Sequence, residues 1–299
     1  MTRLYRLAVI KYTNGPLAVA EQDGLMVPLH DLLGEVEPRT DLGPLLADWP
    51  AMAARIDAAV DAGTALFAAA TIDAATADFA LPFANPGALM CIGANYHDHV
   101  AEMPVPMTPE YPYAFVKPTH NTICASGDGV EAPQGVAMMD WEAELAAVIG
   151  TSAKHVGEED ALSYVAGYVN FNDLSARDWV ASRPAIGVDW VRHKAHDGFA
   201  PIGPYFVPAR FVADPQNLPI RLSVNGVVKQ DSNTGQMIYG LKPIIRHLSS
   251  IMTLRPGDII ATGTPAGVGH GRKPPEYLKP GDEIRMEIGP LGELVTPIL

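Results

Sequence analysis

Residues 139–150 read MDWEAELAAVIG, with Asp140, Glu142 and Glu144 on alternate positions running straight into apolar residues. Side chains two apart share a face of a strand, whereas on a helix they diverge by about 200°. A strand would therefore gather these acids at one point, at the mouth of what reads as a buried element. Like charges packed together repel and are costly to desolvate. Unless they splay into solvent they need a counterion, and for several carboxylates the obvious one is a divalent metal. Solvated acids on an edge strand are the competing reading of the same spacing.

The surrounding text supplies more strands. ALMCIG, YAFVKP, YVAGYVNFND, PIGPYFV, IRLSVNG, DIIATGTP and DEIRMEIGPLGELVTPI follow one another between Pro/Gly turns. Helical text after residue 85 is confined to short pieces near 97–103, 175–182 and 240–252. Many short strands with few long helices predict an α+β chain, predominantly β, arranged as a roll or sandwich rather than a doubly wound parallel sheet. LRPGDII and LKPGDEI share a Pro-Gly-Asp turn entering a strand, which explains their likeness without an internal repeat.

Before residue 80 the character differs. Residues 3–30 alternate short apolar runs with Asn14-Gly15 and Asp23-Gly24, a hairpin signature. Residues 41–78 are Ala-rich and predict one or two amphipathic helices. LPFANPG at 81–87 breaks that pattern, so the expected division is a small N-terminal domain over 1–80 and a second domain over 85–299.

Of the 299 residues, 48% are hydrophobic, enough for a large core. Acidic residues outnumber basic ones 34 to 21, a net charge of −13 that disfavours nucleic acid or an anionic membrane as partner. An anionic substrate would need local charge acting against that field. The apolar run near the N-terminus is too short for a secretory signal, and no apolar segment is long enough to cross a bilayer. Cys91 and Cys124 form no CxxC pair, a usage that fits a reducing cytoplasm.

A further acid, Asp173, ends an apolar run in YVNFNDLSARDW. With Glu142 and Glu144 it would make an all-oxygen site suited to Mg²⁺ or Mn²⁺, with Ca²⁺ admitted by the same hard donors. In GANYHDHVAEM, His99 and Glu102 lie three apart and would stack on one helical turn, a carboxylate raising the basicity of an imidazole and fixing its tautomer. The same spacing also describes an ordinary surface pair. His97 would point elsewhere. Lys194, flanked by His193 and His196, could stabilise an enolate or carboxylate, although lysines are usually solvated. ATGTPAGVGHG offers Thr264 and glycines whose backbone amides could approach a carboxylate. GxSxG, GxxxxGK[ST], HExxH and strand-led GxGxxG motifs are absent from the sequence.

Taken in order, IGANYHDHVAEM, AFVKP, DWEAELAAVIG, NDLSARDW, KAHDGFAPIGP, NGVVKQDSNTGQMI, GDIIATGTPAGVG and LKPGDEIRMEIGPLGEL resemble the fumarylacetoacetate hydrolase family over about 85–299. The resemblance implies a mixed β-sandwich roll with a small N-terminal α/β domain, a homodimer, and an Mg²⁺ or Mn²⁺ site at the open end of the roll. It places Glu142, Glu144 and Asp173 as metal ligands, His99 and Glu102 as the water-activating dyad, Lys194 as the active-site lysine, and Arg177, Gln230 and Thr264 on the substrate side. Two positions depart from the family pattern. Val180 stands where relatives often carry glutamine, and His193 where they often carry glycine.

The activity so implied is hydrolysis of a carbon–carbon bond in a 1,3-dicarbonyl acid of the acylpyruvate kind, through an enolate. A second reading keeps the enolate and omits the water: decarboxylation of an oxaloacetate-like acid, or keto–enol isomerisation. A metal-stabilised binding protein without catalysis is the non-enzymatic alternative.

Overall fold

The structure, a computed structural model, describes residues 3–103, 106–181 and 185–299. Its spine is three neighbouring antiparallel strands, Ala143–Ile149, Val165–Asn172 and Ala200–Pro208, buried along their whole length. Strands buried on both faces need apolar side chains in both directions, which is why ELAAVI lacks a polar alternation. Leu145, Ala147 and Ile149 face Ile220, Leu222, Ile284 and Met286 of a second, four-stranded sheet and Ile244 and Leu248 of the helix Leu241–Ile251. Ala146 and Val148 turn the other way, into a core with Trp49, Ile56 and Val60 of the helix Trp49–Ala62. Period-two alternation thus serves two cores at once.

The fold is a sheet-dominated α+β architecture, as the strand count predicted. Next to Ala143–Ile149 the main sheet continues through Ile259–Ala261, Leu89–Ile92 and Ala114–Lys117. On the other side Arg6–Tyr12 pairs with Ala200–Pro208, Leu7 opposite Phe206, and leads into Gly15–Gln22, Leu25–Pro28 and Ile72–Asp73. The segment before residue 80 therefore extends the same sheet as the segment after 85. Asp23 and Gly24, at φ 53° and 86°, make the tight turn expected there. The Ala-rich text forms the helices Trp49–Ala62 and Thr64–Ala68, separated at Gly63. Near 175–182 the helix is Asp178–Ala181, residue 182 lying outside the described residues. In both Pro-Gly-Asp turns the aspartate N–H bonds back three residues, Asp258 to Arg255 and Asp282 to Lys279. Among the described residues no helix is long and apolar enough to cross a membrane.

The run of alternate acids is interrupted. Met139–Asp140 pairs with Ser175–Ala176 in a separate ribbon, and the long strand begins only at Ala143. Asp140 therefore stands outside the close group of Glu142, Glu144 and Asp173, although it shares Arg177 with Glu142, a break that periodicity alone could not reveal.

Trp49 anchors the outer helix by an edge-to-face contact with Phe206, ring centroids 5.2 Å apart. Trp49→Ala should destabilise the fold by about 3–5 kcal/mol, read as a fall in the urea midpoint at unchanged m-value.

Candidate active site

Pairing of Ala143–Ile149 with Val165–Asn172 sets Glu144 opposite Phe171, and the Asp173 N–H donates to the Glu142 carbonyl at 2.9 Å. The start of one strand and the end of the next thereby converge. One carboxylate oxygen from each of Glu142, Glu144 and Asp173 lies within 4.8 Å of the others, and all three residues are buried. Lys194 Nζ donates to Glu142 Oε2 at 2.9 Å and Asp173 Oδ2 at 2.7 Å. Lys117 Nζ donates to Asp173 Oδ1 at 2.5 Å and to the Phe199 carbonyl at 2.6 Å. Arg177 reaches Glu142 Oε1 at 2.5 Å and Asp140 Oδ2 at 2.8 Å.

With Asp140 included, the cluster carries one more negative charge than positive. The imbalance falls on Glu144, whose hydrogen bond comes from the Gly263 N–H at 2.8 Å. Burial, then the charges of Asp173 and Glu142, pushes its carboxyl well above the usual carboxylate range. Burial acts the same way on Glu142, but Lys194 and Arg177 outweigh it and hold that carboxyl well below the usual range. Three close, buried oxygen donors with an uncompensated charge fit a hard divalent cation such as Mg²⁺ or Mn²⁺. Such an ion would turn the cluster net positive and give an anionic substrate its local attraction.

His99 sits on the helix His97–Glu102, where its Nδ1 meets Glu102 Oε1 at 2.8 Å. Glu102 Oε2 in turn accepts the Gly267 N–H at 2.9 Å. The carboxylate fixes the Nδ1–H tautomer and leaves Nε2 as the free base. His99 is buried whereas His97 is exposed. Gly267 has φ 102°, and a Cβ there would lie 2.1 Å from the Lys229 carbonyl, so a side chain would displace the anchor of the pair. A cavity of about 200 Å³ brings His99, Glu142, Glu144, Asp173, Arg177 and Lys194 onto one space. Two larger clefts, each about 510 Å³, lie elsewhere and lack this convergence.

The family model described as fumarylacetoacetate (FAA) hydrolase C-terminal matches residues 88–299. The chain belongs to the fumarylacetoacetate hydrolase family. A mitochondrial oxaloacetate tautomerase of Xenopus laevis is 44% identical over 218 residues, 73% of this chain and 67% of that protein. Among solved structures, maleylpyruvate hydrolase from Sphingobium sp. SYK-6 aligns with a TM-score of 0.77 at 28% identity, covering 98% of this chain and 99% of that one. A 2-hydroxyhepta-2,4-diene-1,7-dioate isomerase from Mycobacterium marinum aligns at 0.73 and 30% identity, covering 99% and 98%.

Within this member of the fumarylacetoacetate hydrolase family, Thr264 lines the cavity, but Gln230 stands behind it. Its amide is spent on the Ala143 N–H, Thr264 Oγ1 and the Pro265 carbonyl. His193 adds bulk without charge: burial, then Lys194 and Arg177, lowers its pKa to about 2, and Nδ1 meets the Ala176 carbonyl at 2.9 Å. Sequence reasoning passed over Lys117, although a lysine ending the apolar strand Ala114–Lys117 was a usable signal. The sequence does point to the 263–270 loop as a source of backbone amides for a carboxylate, without saying which. That loop's amides reach protein carboxylates: Glu144 from Gly263, Glu102 from Gly267, and Asp140 from Gly269 and His270.

Because the raised pKa of Glu144 keeps it protonated at the bottom of the pH range, Mn²⁺ must displace that proton. Affinity should therefore rise with pH until Glu144 ionises unaided. Calorimetry in buffers of different ionisation enthalpy should register proton release in the wild type and its loss in Glu144→Gln, which binds more weakly. Lys194 occupies two oxygens that a metal would use, so Lys194→Met should bind Mn²⁺ more tightly while losing turnover; weaker binding by the same titration would contradict the competition.

Proposed function

We propose that this chain catalyses metal-dependent keto–enol tautomerisation of a 2-oxo acid, with oxaloacetate as the first substrate to test. The observation that carries this reading is the buried His99 base, oriented by Glu102, on the same cavity as the carboxylate–lysine cluster. Glu142, Glu144 and Asp173 would hold Mg²⁺ or Mn²⁺, which when bound supplies Lewis-acid polarisation of the 2-oxo acid. His99 Nε2 takes a proton from the carbon beside the oxo group, and the C–H electron pair becomes the new C=C bond as charge moves to oxygen. Lys194, released from one of its protein acceptors, would stabilise that oxygen, while Glu102 balances the imidazolium. Return of the proton to oxygen completes the enol; the reverse sequence regenerates the ketone. The similarity to the Xenopus tautomerase supports this choice between reactions that share an enolate.

Carbon–carbon hydrolysis of an acylpyruvate is the second reading, supported by the same dyad and by the likeness to maleylpyruvate hydrolase. There His99 would take a proton from water, and hydroxide would add to the distal carbonyl before the bond breaks. Following enol absorbance and products together separates the two. Enol loss without new acids marks tautomerisation; an acid plus pyruvate marks hydrolysis. His99→Ala should lower kcat by about 10²–10⁴-fold and leave Mn²⁺ affinity unchanged by calorimetry; full turnover in this variant would remove the base from the mechanism.

A further inference from the structure

The cavity has two unlike walls. Its described charged residues, Glu142, Glu144, Asp173, Arg177 and Lys194, belong to the cluster, and both cations there are already paired with carboxylates. The remaining lining includes Trp190, Phe115 and Tyr113, with Val180 and Val188. Trp190 stacks on Phe115 with centroids 4.4 Å apart and planes 10° from parallel. Its Nε1 donates to the Tyr113 hydroxyl at 3.1 Å, which leaves the tyrosine proton for another acceptor. Trp190 opens the helix Trp190–Lys194, N-capped by the Asp189 side chain, so the aromatic face and the active-site lysine are carried by one rigid turn. Lys194 Nζ lies 5.5 Å from the Phe115 ring centre, so the two walls meet at the lysine.

We propose that the Trp190–Phe115–Tyr113 wall selects 2-oxo acids whose far end is planar and uncharged, an aryl or conjugated group, over acids ending in a second carboxylate. This rests on the 2-oxo acid reading above and narrows it. A carboxylate pressed against that wall loses water without gaining a cation among the described residues. A flat apolar group instead stacks on Trp190 and releases water from both surfaces. Val180, standing where relatives often carry glutamine, extends the apolar side. The Tyr113 hydroxyl suits a neutral oxygen on a conjugated substituent.

The test uses the full chain loaded with Mn²⁺ and two probes, phenylpyruvate and oxaloacetate, each followed by calorimetric binding and by enol absorbance. Phenylpyruvate should bind more tightly. Trp190→Ala should cut that preference about tenfold, entering through KM rather than kcat, while Trp190→Phe restores most of it. Val180→Arg, which places a cation in the wall, should shift preference toward oxaloacetate. Thermal melting of each variant excludes loss of fold as the cause. Equal or tighter binding of oxaloacetate by the wild type overturns the proposal, as does Trp190→Ala weakening both acids alike. If phenylpyruvate binds more tightly through Trp190 but neither acid is tautomerised, the wall stands and the reaction proposed above falls.

Discussion

The site is organised around Asp173, a buried carboxylate gripped from two sides. Lys117 holds one oxygen and Lys194 the other. Each lysine is itself almost fully buried, so neither charge is tolerable without the other, and removing one partner of such a pair costs about 3–5 kcal/mol. The burden is shared by carbonyls: Lys117 also donates to Leu174 and Phe199, which ties the cluster to the backbone on either side. Charges that would otherwise oppose folding become a reason for the strand ends to adopt one arrangement.

A second layer of order comes from the 263–270 loop. Its amide groups point at Glu144, Glu102 and Asp140, so one acid of the buried trio, the partner of His99 and the partner of Arg177 are referenced to the same short stretch of backbone. Those amides are consumed by the protein's own carboxylates. They are therefore not free to serve any other acceptor, and the donors left facing the cavity are side chains.

Much of this was legible in the chain. Glu142, Glu144 and Asp173 were readable because strand periodicity and a strand end both favour convergence, and His99 with Glu102 because three-residue spacing is meaningful on a single helical turn. The rest depended on tertiary placement. Asp140 shares the alternation but is diverted by its pairing with Ser175, and Gln230 matches a substrate-side position while its amide is fully engaged behind the pocket. The continuity of Arg6–Tyr12 with Ala200–Pro208 joins strands nearly two hundred residues apart, for which no local pattern exists. The aromatic wall likewise assembles residues 113, 115 and 190 from separate motifs, visible only once the strand and helix are side by side.

The outer strand Val227–Asn233 reaches the charged wall through two of its residues. Gln230 clasps the entrance of the central strand, while the Lys229 carbonyl leaves room at Gly267 for a hydrogen atom and nothing larger. One strand thus braces both the start of Ala143–Ile149 and the loop whose Gly267 N–H anchors Glu102. The bracing of these acids therefore extends to Lys229 and Gln230, which do not line the cavity themselves.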